Sequence, residues 1–262
     1  MQAFLKIYIK SGTFSINTDS LHSSLKSITM NKTITVSVAD GSNMNAYVAI
    51  PEGNGPFPAM MVFQEAFGVN AHIRDMADRL AAEGYLAIAP ELFHRTAPPG
   101  FEGGYEDFSV LMPHFSAVTT ETLEADSKAT YEWLQGQGNV KKDKIGCIGF
   151  CLGGRVSFIV NTSLPIQAAV SYYGGGLHTI MDRVGKMSAP QIFFWGGKDK
   201  HILPEYVQIV SNALADAGKD NINVSISYAD HGFNNNDRAA YNPQAGAEAW
   251  GMVKAFLKNK LG

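Results

Sequence analysis

Cysteine is scarce in this chain: among 262 residues there are two, Cys147 and Cys151, four positions apart. A strand residue and a residue in the turn that follows it are not expected to form a disulfide. No further ligands accompany the pair to make a structural metal site, and nothing else in the sequence asks for a metal or another cofactor. Charge is also low. Asp, Glu, Lys and Arg make up 17% of the residues and the net charge is −3, which gives no support for nucleic-acid or anionic-membrane binding. No apolar run approaches the ~20 residues that cross a bilayer. The first twenty residues interrupt their apolar stretch with lysines and make a poor secretory leader. What is left is an ordinary globular composition, 45% apolar, suited to a reducing, cytoplasmic compartment and to a small-molecule partner. Monomer and dimer are equally compatible with it.

What is present is a regular alternation of strand-like and helix-like segments. Residues 1–29 are Ser/Thr-rich without a period and read as an extension, and as a non-native start if Met30 is the functional beginning. From Met30 the pattern becomes regular. Residues 33–38 and 44–50, joined by a turn at Asp40-Gly41-Ser42, read as a β-hairpin. Continuous apolar runs at 59–63, 85–89, 144–148, 167–173 and 191–195, with a last strand at 224–228, have the character of buried parallel strands. Between them lie helical patterns with Ile73, Ala77, Leu80 and Ala81, with Leu123, Tyr131 and Leu134, with Tyr206, Val210, Ala213 and Leu214, and with Trp250, Val253 and Leu257. The expected architecture is one α/β domain over 30–262, a doubly wound, mostly parallel sheet flanked by helices. Residues 96–118, rich in Gly, Pro and aromatics, read as a functional loop or cap.

The segment Gly149-Phe150-Cys151-Leu152-Gly153-Gly154 follows a strand and opens a helix. Strand, Gly-x-nucleophile-x-Gly, helix is the nucleophile elbow of α/β-hydrolases, with Cys in the nucleophile position. The alternative is a Gly-rich turn holding an inert thiol. In an elbow, Cys151 stands at a helix N-terminus, where the dipole favours a thiolate. The N–H of Leu152 is there an oxyanion donor, and that of Ala66, after the early strand, is the second.

Sites in such sheets lie beyond the carboxyl ends of the strands. Asp199 follows one strand and His231 follows the last, which places nucleophile, acid and base in the chain order of the fold. His231 is then the base for Cys151, and Asp199 fixes its tautomer. Asp199 also suits a turn, Asp230 is a rival orienter of His231, and His201 sits close to Asp199 in sequence. His22, His72, His94, His114 and His178 read as ordinary surface or loop residues. Glu65, also after a strand, is either a solvated carboxylate or a group that influences the thiol. Tyr105, Phe108, Phe115, Tyr173 and Trp195 are pocket or core aromatics.

These segments, together with Gln64-Glu65-Ala66-Phe67-Gly68-Val69-Asn70, Pro90-Glu91-Leu92-Phe93-His94-Arg95, Gly197-Lys198-Asp199 and His231-Gly232-Phe233, resemble the dienelactone hydrolase family, the cysteine branch of the α/β-hydrolases. The resemblance runs over about 30–262. It implies a Cys151–His231–Asp199 triad, with Glu65 resting on the thiol and swinging away when substrate binds. It implies that Arg95 holds that glutamate and helps bind a substrate carboxylate, and that a lactone or small ester is opened through a thioester. The family's second carboxylate-binding arginine is replaced here by Asn235. Arg238 takes that place only if its loop reaches inward. An acyltransferase or thioesterase using the same site, and a non-catalytic binding protein on the scaffold, are the competing readings.

Overall fold

The fold is that of a computed structural model, which describes residues 30–262; the expectation for residues 1–29 lies outside the described residues. Strands β1 (Met30–Ser37) and β2 (Asn43–Ile50) form the expected antiparallel hairpin, with Met30 opposite Ile50 and Ser37 opposite Asn43. Its turn is pinned by the Asp40 carboxylate, which accepts the N–H of Ser42 at 3.0 Å. The chain then runs through β3 (Phe57–Phe63), helix α1 (Ala71–Ala82) and β4 (Leu86–Pro90). After a long excursion come α2 (Met112–Ala117), α3 (Thr120–Gly136), β5 (Val140–Phe150), α4 (Leu152–Ser163) and β6 (Ala168–Tyr172). The last elements are β7 (Gln191–Gly196), α5 (Pro204–Asp216), β8 (Asn221–Ile226) and α6 (Pro243–Leu261).

Among the described residues eight strands make one sheet in the order β1-β2-β4-β3-β5-β6-β7-β8. The hairpin and the β2–β4 pair are antiparallel, and every pairing from β4 to β8 is parallel. Helices α1, α3, α4 and α6 pack on the sheet. The central strands are buried along most of their length, which is why they read as unbroken apolar runs. Among the described residues no helix is long and apolar enough to cross a membrane.

Three departures from the sequence reading bear on the site. The last strand lies at 221–226 rather than 224–228, because the chain turns at Ser227 while the Gly197 N–H takes the Ile226 carbonyl at 2.8 Å. This fold-back sets the segment after β8 against the segment after β7. The 96–118 excursion is not structureless. It is tied to the loop after β3 by a bridge between Gly68 and Glu102 and by the Gly103 N–H on the Phe67 carbonyl, and it contains a 3₁₀ turn at Phe108–Val110 besides α2. Residues Leu177–Lys186, where the sequence reading places no element, form 3₁₀ turns.

Candidate active site

Cys151 sits between β5 and α4 with φ 53° and ψ −109°, a left-handed conformation for a residue with a side chain. Such a backbone costs about 1–3 kcal/mol and persists only where its surroundings hold it. The Cys151 N–H donates to the Tyr172 carbonyl at 3.0 Å, and the Gly153 N–H to the Gln64 carbonyl at 2.9 Å. The turn is so tight that a Cβ on Gly149 would lie 1.8 Å from the Gly153 carbonyl oxygen. The result lifts the Cys151 side chain, partly exposed, off the sheet at the N-terminus of α4. Cys147, four residues back on β5, is buried, and burial drives its thiol far above the ordinary range.

His231 and Asp199 meet at the same end of the sheet. The Nδ1 of His231 lies 2.7 Å from Oδ2 of Asp199. The other carboxylate oxygen of Asp199 accepts the N–H groups of His201 at 2.7 Å and Ile202 at 3.0 Å. The Cys151 side chain lies near enough to the imidazole to act on its charge. Burial works against charge on this ring, but the bonds to Asp199 and Cys151 outweigh it and lift His231 to about 10. Asp199 moves the other way: burial opposes its charge, and the His231 bond holds the carboxyl below its ordinary value. Asp230 does not orient the ring. Its carboxylate accepts the backbone N–H of His231 instead.

Glu65 is wholly buried beside this group. One of its oxygens accepts from Asn235 Nδ2, and the other faces Arg238 Nη1 at 3.5 Å. Burial raises its pKa, against the pull of Arg238, Asn235 and His231. The Asn235 amide also donates to the Tyr105 hydroxyl at 3.1 Å, and the Asn70 amide donates to the same hydroxyl at 2.8 Å. Arg238 itself lies over the Phe67 ring, 5.5 Å from its centre, a distance at which a cation and a ring face attract.

The sequence model of the dienelactone hydrolase family matches residues 44–261. The chain belongs to that family. It is 35% identical over 226 residues to a Synechocystis protein named "Putative carboxymethylenebutenolidase", an alignment covering 82% of this chain and 91% of the relative. It is 32% identical over 231 residues to a protein of the same name from Escherichia coli K12, covering 84% of each. In three dimensions it is similar to a crystal structure described as a "Putative Dienelactone Hydrolase" from Klebsiella pneumoniae, with TM-score 0.79, 33% identity, and 87% of this chain and 99% of the other covered.

Two expectations attached to the family resemblance are corrected by the contacts. Arg95 does not hold Glu65. Its guanidinium is taken by Asp126, through bonds of 2.9 and 2.7 Å, and by Asp40 at 2.8 Å. Arg238, whose loop does reach inward, stands at Glu65 instead. Nor does Glu65 rest on the thiol: among the described residues no hydrogen bond joins it to Cys151, and its oxygens meet Asn235 and Arg238. Asn235 is not an empty substitution for an arginine but a buried bridge between Glu65 and Tyr105.

The N–H of Ala66 has no acceptor among the described residues, and Leu152, first residue of α4, has no carbonyl behind it within the helix. Of the five aromatics, Tyr105 borders Glu65 while Phe108 is exposed at the rim, 6.5 Å from Phe67. Phe115 lies beside Phe108, at 6.0 Å. Trp195 is core, bonded to Asn223 and stacked on Phe193. Tyr173 is fully buried with φ 38°, its ring 5.1 Å from that of His231 and its hydroxyl without a hydrogen-bond partner among the described residues. His72 and His94 are not surface residues: His72 packs on Phe150 at 5.3 Å, and His94 lies 3.2 Å from Asp126.

Proposed function

We propose that this chain hydrolyses small carboxylic esters or lactones through a thioester on Cys151. The observation that carries this reading is one imidazole held by Asp199 at 2.7 Å and close enough to Cys151 to feel its charge. With Nδ1 committed to Asp199, Nε2 is the nitrogen left to take the thiol proton. The thiolate and imidazolium then form an ion pair, helped by the α4 dipole.

The sulfur attacks the carbonyl carbon. The S–C bond forms and the carbonyl electrons move to oxygen, where the N–H groups of Ala66 and Leu152 receive the oxyanion. Collapse breaks the C–O bond of the ester or lactone, and the leaving oxygen takes the proton from His231. Water then attacks the thioester, His231 removes its proton, and the acid departs as Cys151 regains the thiol form. Glu65, fixed by Asn235 and Arg238, stays in the field of His231 and supports its positive charge. These steps run on the chain's own side chains and backbone.

The test is hydrolysis of short-chain 4-nitrophenyl esters by wild type and by Cys151→Ala. The variant is expected to release no 4-nitrophenol above the uncatalysed rate, and mass spectrometry of the quenched wild type is expected to show an acyl adduct on Cys151. Turnover retained by Cys151→Ala overturns the reading. Partition of the acyl group to added alcohols or thiols separates hydrolysis from acyl transfer.

A further inference from the structure

The sheet ends on β8, whose outer edge has no strand beside it among the described residues. Which backbone groups lie on that edge follows from the pairing with β7. The Gln191 N–H donates to the Asp220 carbonyl at 3.2 Å, and the Gly197 N–H to the Ile226 carbonyl at 2.8 Å. Alternate residues of a parallel strand bond to the same neighbour. Ile222 and Val224 therefore face β7 along with Asp220 and Ile226, and the N–H and C=O groups of Asn221, Asn223 and Ser225 point outward. Among the described residues these outward groups have no hydrogen-bond partner.

Proteins blunt a free edge with lysine, proline or a bulge. Strand β1, at the other end of the sheet, carries exposed Lys32. Strand β8 reads Asn-Ile-Asn-Val-Ser-Ile, with no charge, no proline and an unbroken register. Beside its edge, Ile222 and Met252 are 46% and 44% exposed. With Pro190, Ile192, Ala255 and Phe256 they line a mainly apolar recess of about 530 Å³ between the strand and α6.

We propose that this edge pairs with the β8 edge of a second copy of the chain, antiparallel about a two-fold axis, so that two sheets run on as one. The outward groups set the register. In an antiparallel ladder the residues that exchange hydrogen bonds lie directly opposite each other. The register that engages every outward group puts Asn223 opposite Asn223 of the second copy, on the axis, and Asn221 opposite Ser225 of the second copy. Ile222 then meets Val224 of the second copy on the α6 face, which extends apolar surface across the recess. No like charges are brought together: Asp220 falls opposite Ile226 of the second copy, about 20 Å from its own equivalent. The area is adequate. An edge of about 20 Å in a helix–sheet–helix sandwich about 30 Å thick offers about 600 Å² per copy, or about 1,200 Å² in all, where stable interfaces begin. Pairing β8 with β8 closes the assembly at a dimer, whereas pairing β8 with β1 of another copy would run on as a filament and meet Lys32.

The experiment is analytical ultracentrifugation of the full chain at micromolar concentration, with Ile222→Lys and Ser225→Pro beside wild type. Wild type should sediment as a dimer. Ile222→Lys sets a charge on the edge, and Ser225→Pro removes an outward N–H that β7 does not use. Both variants should sediment as monomers with the circular dichroism of wild type. A monomeric wild type overturns the proposal, and so does a dimer that both variants leave intact. Hydrogen exchange on wild type reads the register without any variant: the amides of Asn221, Asn223 and Ser225 should exchange as slowly as those of Ile222 and Val224. Fast exchange at these three positions in a dimer places the interface elsewhere and overturns the pairing. Slow exchange in a monomer also overturns it, and assigns the edge to another segment of the same chain.

Discussion

Arg95 grips Asp126, a carboxylate with no exposed side-chain surface, through two contacts of 2.7 and 2.9 Å. The pair ties the segment after β4 to α3, and Asp40 in the hairpin turn completes it. Removing the guanidinium leaves the buried Asp126 carboxylate with His94 as its remaining side-chain partner, at a cost of up to about 3–5 kcal/mol. Arg95→Ala is therefore expected to lower the free energy of unfolding measured in urea by that amount while activity per folded molecule is preserved. A large fall in kcat/KM with unchanged stability would return Arg95 to the site.

Asp199→Asn should leave the fold intact and lower kcat by about four orders of magnitude, as expected when the group that sets the imidazole tautomer is lost. Steady-state hydrolysis of a 4-nitrophenyl ester, with circular dichroism as the control for folding, checks it. An Asn variant within tenfold of wild type would hand the orienting role to another residue.

The His231–Asp199 pair makes stability depend on pH. His231 is raised from about 6.5 to about 10, so its contribution is fully present below pH 6.5 and is lost as pH climbs through 10. Asp199 is shifted downward, so its contribution is present above its ordinary value near 4 and disappears in more acid solution. The gap in melting temperature between wild type and His231→Gln should be widest between about pH 4 and 6.5. It should close progressively toward pH 10. A gap that widens above pH 7 would contradict the pairing.

Tyr173 carries a buried hydroxyl with no partner among the described residues, a burden of about 1–3 kcal/mol. Tyr173→Phe keeps the ring against His231 and removes the burden. Its melting temperature is expected to equal or exceed that of wild type, whereas Tyr173→Ala should lose about 3–5 kcal/mol to the cavity. A destabilised Phe variant would mean that the hydroxyl has a bonding partner in solution.

The sheet was largely legible because parallel strands buried on both faces appear as unbroken apolar runs such as Ala59–Phe63 and Gln191–Trp195. The edge strand β8 was displaced in the reading because its residues are mostly exposed and alternate weakly. The positions of Cys151, Asp199 and His231 could be read because each follows a strand, and a strand's end is a local signal. The partner of an arginine is not. Arg95 and Asp126 are 31 residues apart, Arg238 and Glu65 173 apart, and only the folded chain decides which carboxylate each one meets. The unusual turn at Tyr173 had no signal either, since Tyr-Tyr-Gly describes a strand end equally well.

Asn70 ends the chain of bonds that starts at Glu65. Its amide donates to Tyr105, whereas its carbonyl oxygen accepts the Ile73 N–H and caps α1. One small side chain therefore answers to two demands that no neighbouring amino acid type satisfies together. Aspartate keeps the cap but replaces the amide donor by a second negative charge near the buried Glu65, and serine caps the helix with a shorter side chain. The charge of the site and the start of a helix are thus locked to the same codon, and the freedom of this position to vary is narrower than either role alone would make it.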